Sequence, residues 1–312
     1  MGAQMEFNRR AFRQSLEYHA ARGALWLAGR LPIEAGRRIG AVIGRAAFDL
    51  VRVRRSVSIS NIVDSLGVSR AEATRIARAA YTDYGRCLME FCAFAHLTTA
   101  EILALAECEG WENAERVRAE GKGGLIITAH LANYELVGAW IAARGIPLHY
   151  LVGQQTNLRV DDVINEIRHR GSIGIIRRSV ALRKVLQALS AGEFVATMPD
   201  QDARKGGVMV DFLGRPASTV RGPALFAIRR GCPILPCFIT RQGSRHLLSI
   251  EAPLYPAPAA SEDEAVRDLT QRYTDRISAR VRLHPDEYFW PHRRWKTKAV
   301  QETQSQSVAE IS

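Results

Sequence analysis

The sequence predicts an α/β fold: a mostly parallel or mixed central sheet, flanked by helices on both faces, with an N-terminal helical part that associates with a membrane. Three observations predict it. From Gly124 onward, short apolar runs alternate with helical patterns, which implies a sheet covered on both sides. Residues 7–55 read instead as helices that mix apolar and arginine faces. The chain has 312 residues, 47% of them hydrophobic, enough for one α/β domain with a sizeable core. The expected organisation is amphipathic membrane-associating helices over 1–60, an α/β domain over 61–296, and a polar, disordered tail over 297–312.

The elements follow in order. "GRRIGAVIGRAAFDLVRVRR" spaces Gly36, Gly40 and Gly44 four apart, a smooth helix face for close packing, with arginines able to snorkel toward headgroups. Ser69 with Glu72, and Thr98 with Glu101, have capping-box spacing and open helices. "GLIIT" reads as a strand, with a helix from about Ala132. "PLHYLV" is a strand followed by a helix over 157–170. "IGII" is a strand, then Ser179 caps a helix that Gly192 ends. "FVATM" and "GVMVDFL" read as strands, with a helix from about Thr219 to Arg230 that Ser218 or Thr219 caps. "PILPCFI" and "HLLSIE" are the last strands. Ser261 and Glu264 cap a final helix, acidic at its start and basic at Arg280 and Arg282, as the helix dipole favours.

The net charge of +11 favours anionic partners: nucleic acid, an acidic membrane surface or an acidic carrier protein. No nucleic-acid motif is present, so nucleic acid is not expected. The five cysteines have no C-x-x-C spacing and read as buried reduced thiols. No apolar run near the start approaches the roughly 20 residues needed to span a bilayer. Walker, G-x-G-x-x-G, G-x-S-x-G and H-E-x-x-H motifs are all absent, which points away from nucleotide cofactors, a serine nucleophile and a zinc site. No metal or cofactor is expected.

One stretch suggests chemistry. In "GLIITAHLANYELVGAW" an apolar run stops at His130, and Glu135 follows five residues later. On one regular helix the two would lie roughly 140° apart and would not meet. If His130 ends the strand and Glu135 opens the next helix, the chain reverses between them. The carboxylate could then hold one imidazole nitrogen and leave the other as a general base. The simplest reaction is attack of an acceptor hydroxyl on an activated acyl group.

"HLANYE" resembles the H-x-G-N-W-E block of the bacterial lipid A late acyltransferases, the lauroyl/myristoyl transferase family of the glycerolipid acyltransferase superfamily. His130, Asn133 and Glu135 match, Ala132 stands for Gly, and Tyr134 for Trp. Four further blocks follow in the family's order: "RRSVSISNIVDSLG", "NLRVDDVINEIRHRGSIGIIRR", "MPDQDARKGGVMVDFLGRPASTVRGPALFA" and "HPDEYFWPHRRWK". The resemblance covers roughly residues 50–296. It implies transfer of a fatty acyl chain from acyl carrier protein to a hydroxyl of a lipid A precursor, at the cytoplasmic face of the bacterial inner membrane. His130 would be the general base and Glu135 its orienting partner. Asn133 would support the loop or the oxyanion. Arg168, Arg177, Asp200 and Gln201 would bind phosphate-bearing groups or hold the site together. The aromatic and basic residues from Tyr288 to Lys296 suit either a membrane interface or a packed C-terminal clasp. The rival readings are an acyltransferase acting on a mannoside, another glycolipid or a lysophospholipid, and a non-enzymatic basic protein that binds membrane or nucleic acid.

Overall fold

The computed structural model describes residues 2–298, with side chains from residue 11 on. Five helices come first: α1 (Gly2–Ala28), α2 (Ile33–Asp49), α3 (Arg55–Leu66), α4 (Arg70–Phe94) and α5 (Thr99–Ala104). Strands and helices then alternate as β1 (Ala106–Glu109), α6 (Trp111–Ala119), β2 (Gly124–Ile127), α7 (Tyr134–Ala143), β3 (Leu148–Val152), α8 (Leu158–Arg170) and β4 (Ile173–Arg177). The chain continues through α9 (Ala181–Ser190), β5 (Phe194–Thr197), β6 (Val208–Phe212), β7 (Arg215–Thr219) and α10 (Gly222–Arg230). It closes with β8 (Ile234–Gln242), β9 (Arg245–Ile250) and α11 (Glu262–Leu283).

Seven strands form one sheet in the order β1-β9-β8-β2-β5-β3-β4. Every neighbouring pair is parallel except β8–β9, a hairpin turned at Gly243, whose φ of 62° suits a residue without Cβ. Every residue of β2 and β5 is buried, because helices cover both faces. The mostly parallel, helix-flanked sheet expected from the sequence is therefore present.

Three local readings are corrected. Ser179 caps nothing: it lies in a 3-10 turn, and α9 starts after Val180 with no side-chain cap. Ser218 and Thr219 lie in β7, the second strand of a hairpin with β6, and α10 starts only at Gly222. The strand β1 is also new. "AECE" is too polar to read as a core strand, and it pairs only with β9 at the sheet edge. The expected caps at Ser69, Thr98 and Ser261 are present, with the reciprocal box complete at Thr98 and Glu101.

The helical N-terminal part packs on α4. A Cβ on Gly40 or Gly44 would collide with the backbone of Gly85 or Tyr81, so these glycines let the two helices touch. Gly36 only reaches ordinary contact with Met89. On the outer side Val42, Ile43, Leu50, Val51 and Val53 remain exposed beside arginines. Among the described residues no helix is long and apolar enough to cross a membrane. Residues 299–312 of the expected tail lie outside the described residues. The segment after α11 is a clasp rather than a surface strip: Trp290 and Arg294 are buried, and Asn61 Nδ2 donates to the carbonyls of Trp290 and His292.

Candidate active site

Strand register brings the central residues together. β2 and β5 are parallel neighbours, with Ile127 opposite Thr197. Three residues past the end of each strand come His130 and Asp200. Both side chains therefore stand at the carboxyl end of the sheet, where crevices in open α/β sheets bind ligands.

His130 Nδ1 donates to Asp200 Oδ1 at 2.8 Å, and the His130 backbone N–H donates to Oδ2 at 2.9 Å. Asp200 is buried, which alone would raise its pKa. The His130 charge and the two hydrogen bonds outweigh that, with help from Arg294, and hold the carboxyl below its usual value. An ionised Asp200 accepts at both oxygens, so Nδ1 is the donor, and in the neutral imidazole the lone pair lies on Nε2. Gln201 Nε2 lies 3.2 Å from that nitrogen and donates to it.

The partner expected from the sequence is thus corrected. The carboxylate on the His130 ring is Asp200, and Glu135 is engaged elsewhere. Glu135, in the first turn of α7, accepts from Arg168 Nε at 3.2 Å and Nη2 at 2.5 Å. This bidentate pair is buried, with side chains 9% and 10% exposed. It lines an open cavity of about 220 Å³ whose wall also includes Phe91, Ala132, Asn133 and Tyr134.

Arg177 forms a second internal pair, donating to both oxygens of Asp161, at 3.2 Å from Nη1 to Oδ1. Neither Arg168 nor Arg177 therefore offers an uncompensated charge to a phosphate. Asn133 supports the loop: its Oδ1 accepts from Leu136 N as the cap of α7, and its Nδ2 donates to Glu90 at 2.5 Å.

The loop between β2 and α7 has further tethers. Ala132 N–H donates to the Glu287 carbonyl, and Phe289 N–H donates to the His130 carbonyl, each at 2.9 Å. The clasp thus grips the loop from behind. The rings of Tyr134 and Phe289 lie 5.1 and 6.2 Å from the imidazole, between centroids. Arg294 completes the clasp by donating to the carbonyls of Gln201 and Ser218 and to Thr219 Oγ1. Ala132 holds a φ of 45°, in the left-handed region that suits glycine.

Sequence reasoning missed Glu90. It lies 1% exposed on α4 and accepts from Arg37 Nε (2.6 Å), Arg241 Nη1 (2.7 Å), His246 Nε2 (3.0 Å) and Asn133. Burial would raise its carboxyl pKa, but hydrogen bonds and charge from His246 and Arg241 carry it well below the usual range. A single acid inside the apolar run "CLMEFCAFA" was the available signal.

Comparison with known proteins decides the family. The sequence profile described as "Bacterial lipid A biosynthesis acyltransferase" matches residues 6–297. The chain belongs to that family. This acyltransferase is 25% identical over 288 residues to a lipid A biosynthesis palmitoleoyltransferase of Escherichia coli (strain K12), spanning 90% of this chain and 91% of the relative. It is 25% identical over 282 residues to the lipid A biosynthesis lauroyltransferase of the same strain, spanning 88% and 90%. A phosphatidylinositol mannoside acyltransferase of Mycobacterium tuberculosis (strain ATCC 25618 / H37Rv) is 24% identical over 193 residues, 60% of this chain and 58% of the relative.

Proposed function

We propose that this acyltransferase moves a fatty acyl chain from acyl carrier protein to a hydroxyl of a lipid A precursor. His130 is the general base and Asp200 the carboxylate that orients it. The observation that carries this reading is the Asp200–His130 pair at the carboxyl end of the sheet, which occupies Nδ1 and makes Nε2 the nitrogen available to accept a proton. The acceptor hydroxyl displaces the Gln201 amide from Nε2. Its oxygen attacks the thioester carbonyl while its proton passes to Nε2. The tetrahedral intermediate then collapses, the C–S bond breaks, and the imidazolium returns the proton to the leaving thiolate. The step balances without a metal or redox group.

Glu135 and Arg168 act as a buried brace that holds the start of α7 against α8. The +11 charge suits an acidic carrier and an anionic membrane. The exposed Leu50, Val51 and Val53 beside Arg52 and Arg55 suit shallow contact with the cytoplasmic face of the inner membrane. The lipid A relatives are covered over about nine-tenths of their length, against 58% for the mannoside relative, and this favours the lipid A acceptor.

Mass spectrometry of lipids from a strain lacking the gene tests the acceptor. Loss of one secondary acyl chain from lipid A is expected, whereas unchanged lipid A with a mass shift in a mannoside or lysophospholipid would overturn it. His130→Ala tests the base. Turnover should fall by ~10²-fold or more in the folded variant, and wild-type turnover would remove the mechanism.

A further inference from the structure

The arginines first expected to receive phosphate are neutralised inside the fold, by Glu135 and Asp161. Uncompensated guanidinium groups lie elsewhere at the same end of the sheet. Between α2, α4 and the β8–β9 turn there is an open cavity of about 390 Å³. Its polar wall is Glu34, Arg37, Arg38, Arg86 and Arg241, with Gly243 at the turn. Arg38 is exposed and Arg86 half-buried, and neither makes a hydrogen bond or ion pair among the described residues. Arg37 is 5% exposed, and its Nη2 is buried with no hydrogen-bond partner. Its other donors are used: Nε goes to Glu90 at 2.6 Å, and Nη1 to Glu34 (3.1 Å) and the Ser244 carbonyl (2.6 Å). Arg241 is held by Asp83 and Glu90. The one carboxylate on the wall, Glu34, is half-exposed and meets only Arg37.

We infer that this cavity is a binding site for a phosphate ester, with Arg38 and Arg86 as the contacting cations and Arg37 as the buried anchor. Guanidinium groups suit phosphate because their forked N–H donors match its oxygens. Two unpaired arginines beside a buried, incompletely satisfied third form such a cradle; internal ion pairs do not. The cavity also communicates with the catalytic loop. Arg37 and Arg241 bind one oxygen of Glu90, and Asn133 of the loop binds the other. A phosphate held there stands one carboxylate away from the segment carrying His130.

The identification of the phosphate as part of the acceptor glycolipid rests on the proposed function; its binding does not. Three arms separate the two. Inorganic pyrophosphate is titrated calorimetrically into the full chain, the double variant Arg38→Ala/Arg86→Ala, and Glu34→Gln. Both arginines lack partners in the fold, so the double variant should keep the wild-type melting temperature. Loss of the two cations should weaken pyrophosphate by about tenfold or more, the scale of a lost charge-assisted hydrogen bond. Removing the Glu34 charge should tighten it. Equal affinity in all three proteins, or no binding to wild type, overturns the site. In the second arm, phosphatidylcholine vesicles carrying one-tenth phosphatidic acid report a bilayer headgroup as the source. In the third, the KM for phosphorylated acceptor lipid reports the substrate as the source. A rise of about tenfold in KM for the double variant, with kcat held and vesicle binding unchanged, assigns the site to the acceptor. Weakened vesicle binding with unchanged KM refutes that assignment and leaves a headgroup site. A wild-type protein that binds pyrophosphate but acylates no phosphorylated lipid refutes the proposed acceptor while the site stands.

Discussion

Asp200 and Glu135 are both buried carboxylates within reach of one short loop, yet they serve opposite ends of it. Asp200 lies 70 residues from His130 in the chain and touches it twice, while Glu135 lies five residues away and is turned to Arg168. The difference comes from strand register. Residues extending past neighbouring parallel strands meet side by side, whereas a chain that turns directly into a helix carries its next side chains to the helix's own packing face. Asp200 meets the group proposed to gain and lose a proton. Glu135 meets a guanidinium that never does, so its pair is built to hold shape.

The largest expected effect that separates the two is on turnover. In Asp200→Asn the side chain offers one acceptor where His130 presents two donors. The imidazole should shift its proton to Nε2 and lose its lone pair. We expect kcat to fall by ~10²–10⁴-fold with the melting temperature nearly unchanged. Steady-state kinetics on the folded variant decide it, and near-normal kcat would return the orienting role to Glu135.

Next in size is stability. Glu135→Gln leaves Arg168 buried without its charge partner, which typically costs about 3–5 kcal/mol. Denaturant unfolding should show that loss, and adding Arg168→Met should recover part of it. A loss of the same size in Asp200→Asn would erase the contrast.

The smallest effect concerns Glu287, whose backbone carbonyl tethers the loop while its carboxyl group faces Arg241 N. Burial, then the charge of Asp83, pushes its carboxyl up to about 8, against the ordinary 4.5. Between those values the folded chain keeps a proton that the unfolded chain releases. Folding stability tied to Glu287 is therefore complete below about pH 4.5 and declines as pH rises toward 8. Comparing unfolding free energies of wild type and Glu287→Gln across that window should show a shallower decline in the variant, by about 1–3 kcal/mol after allowance for partial exposure. Parallel curves would mean that folding does not raise the Glu287 pKa.

Much of the fold was legible because each signal was local. Apolar runs of four to five residues, helical spacing and Ser/Thr caps fix the elements without knowledge of their neighbours. The exceptions fail for physical reasons. β1 is an edge strand with two glutamates in four residues, and β7, "RPAST", is short, mixes polar residues with one proline and pairs only with β6. The residues of the site were legible one at a time: His130, Asn133, Glu135, Arg168, Arg177, Asp200 and Gln201 were all marked by their blocks. Their pairing was not.

The sequence by itself determined which stretches become strands and helices, that a histidine stands at the end of an apolar strand, and that the chain carries excess positive charge. Only the tertiary structure decided which carboxylate holds that histidine and which arginines are consumed by internal pairs. Periodicity records what each residue does within its own element. Register between β2 and β5, and the packing of α7 against α8, depend on contacts between residues far apart in the chain, and no local pattern encodes those.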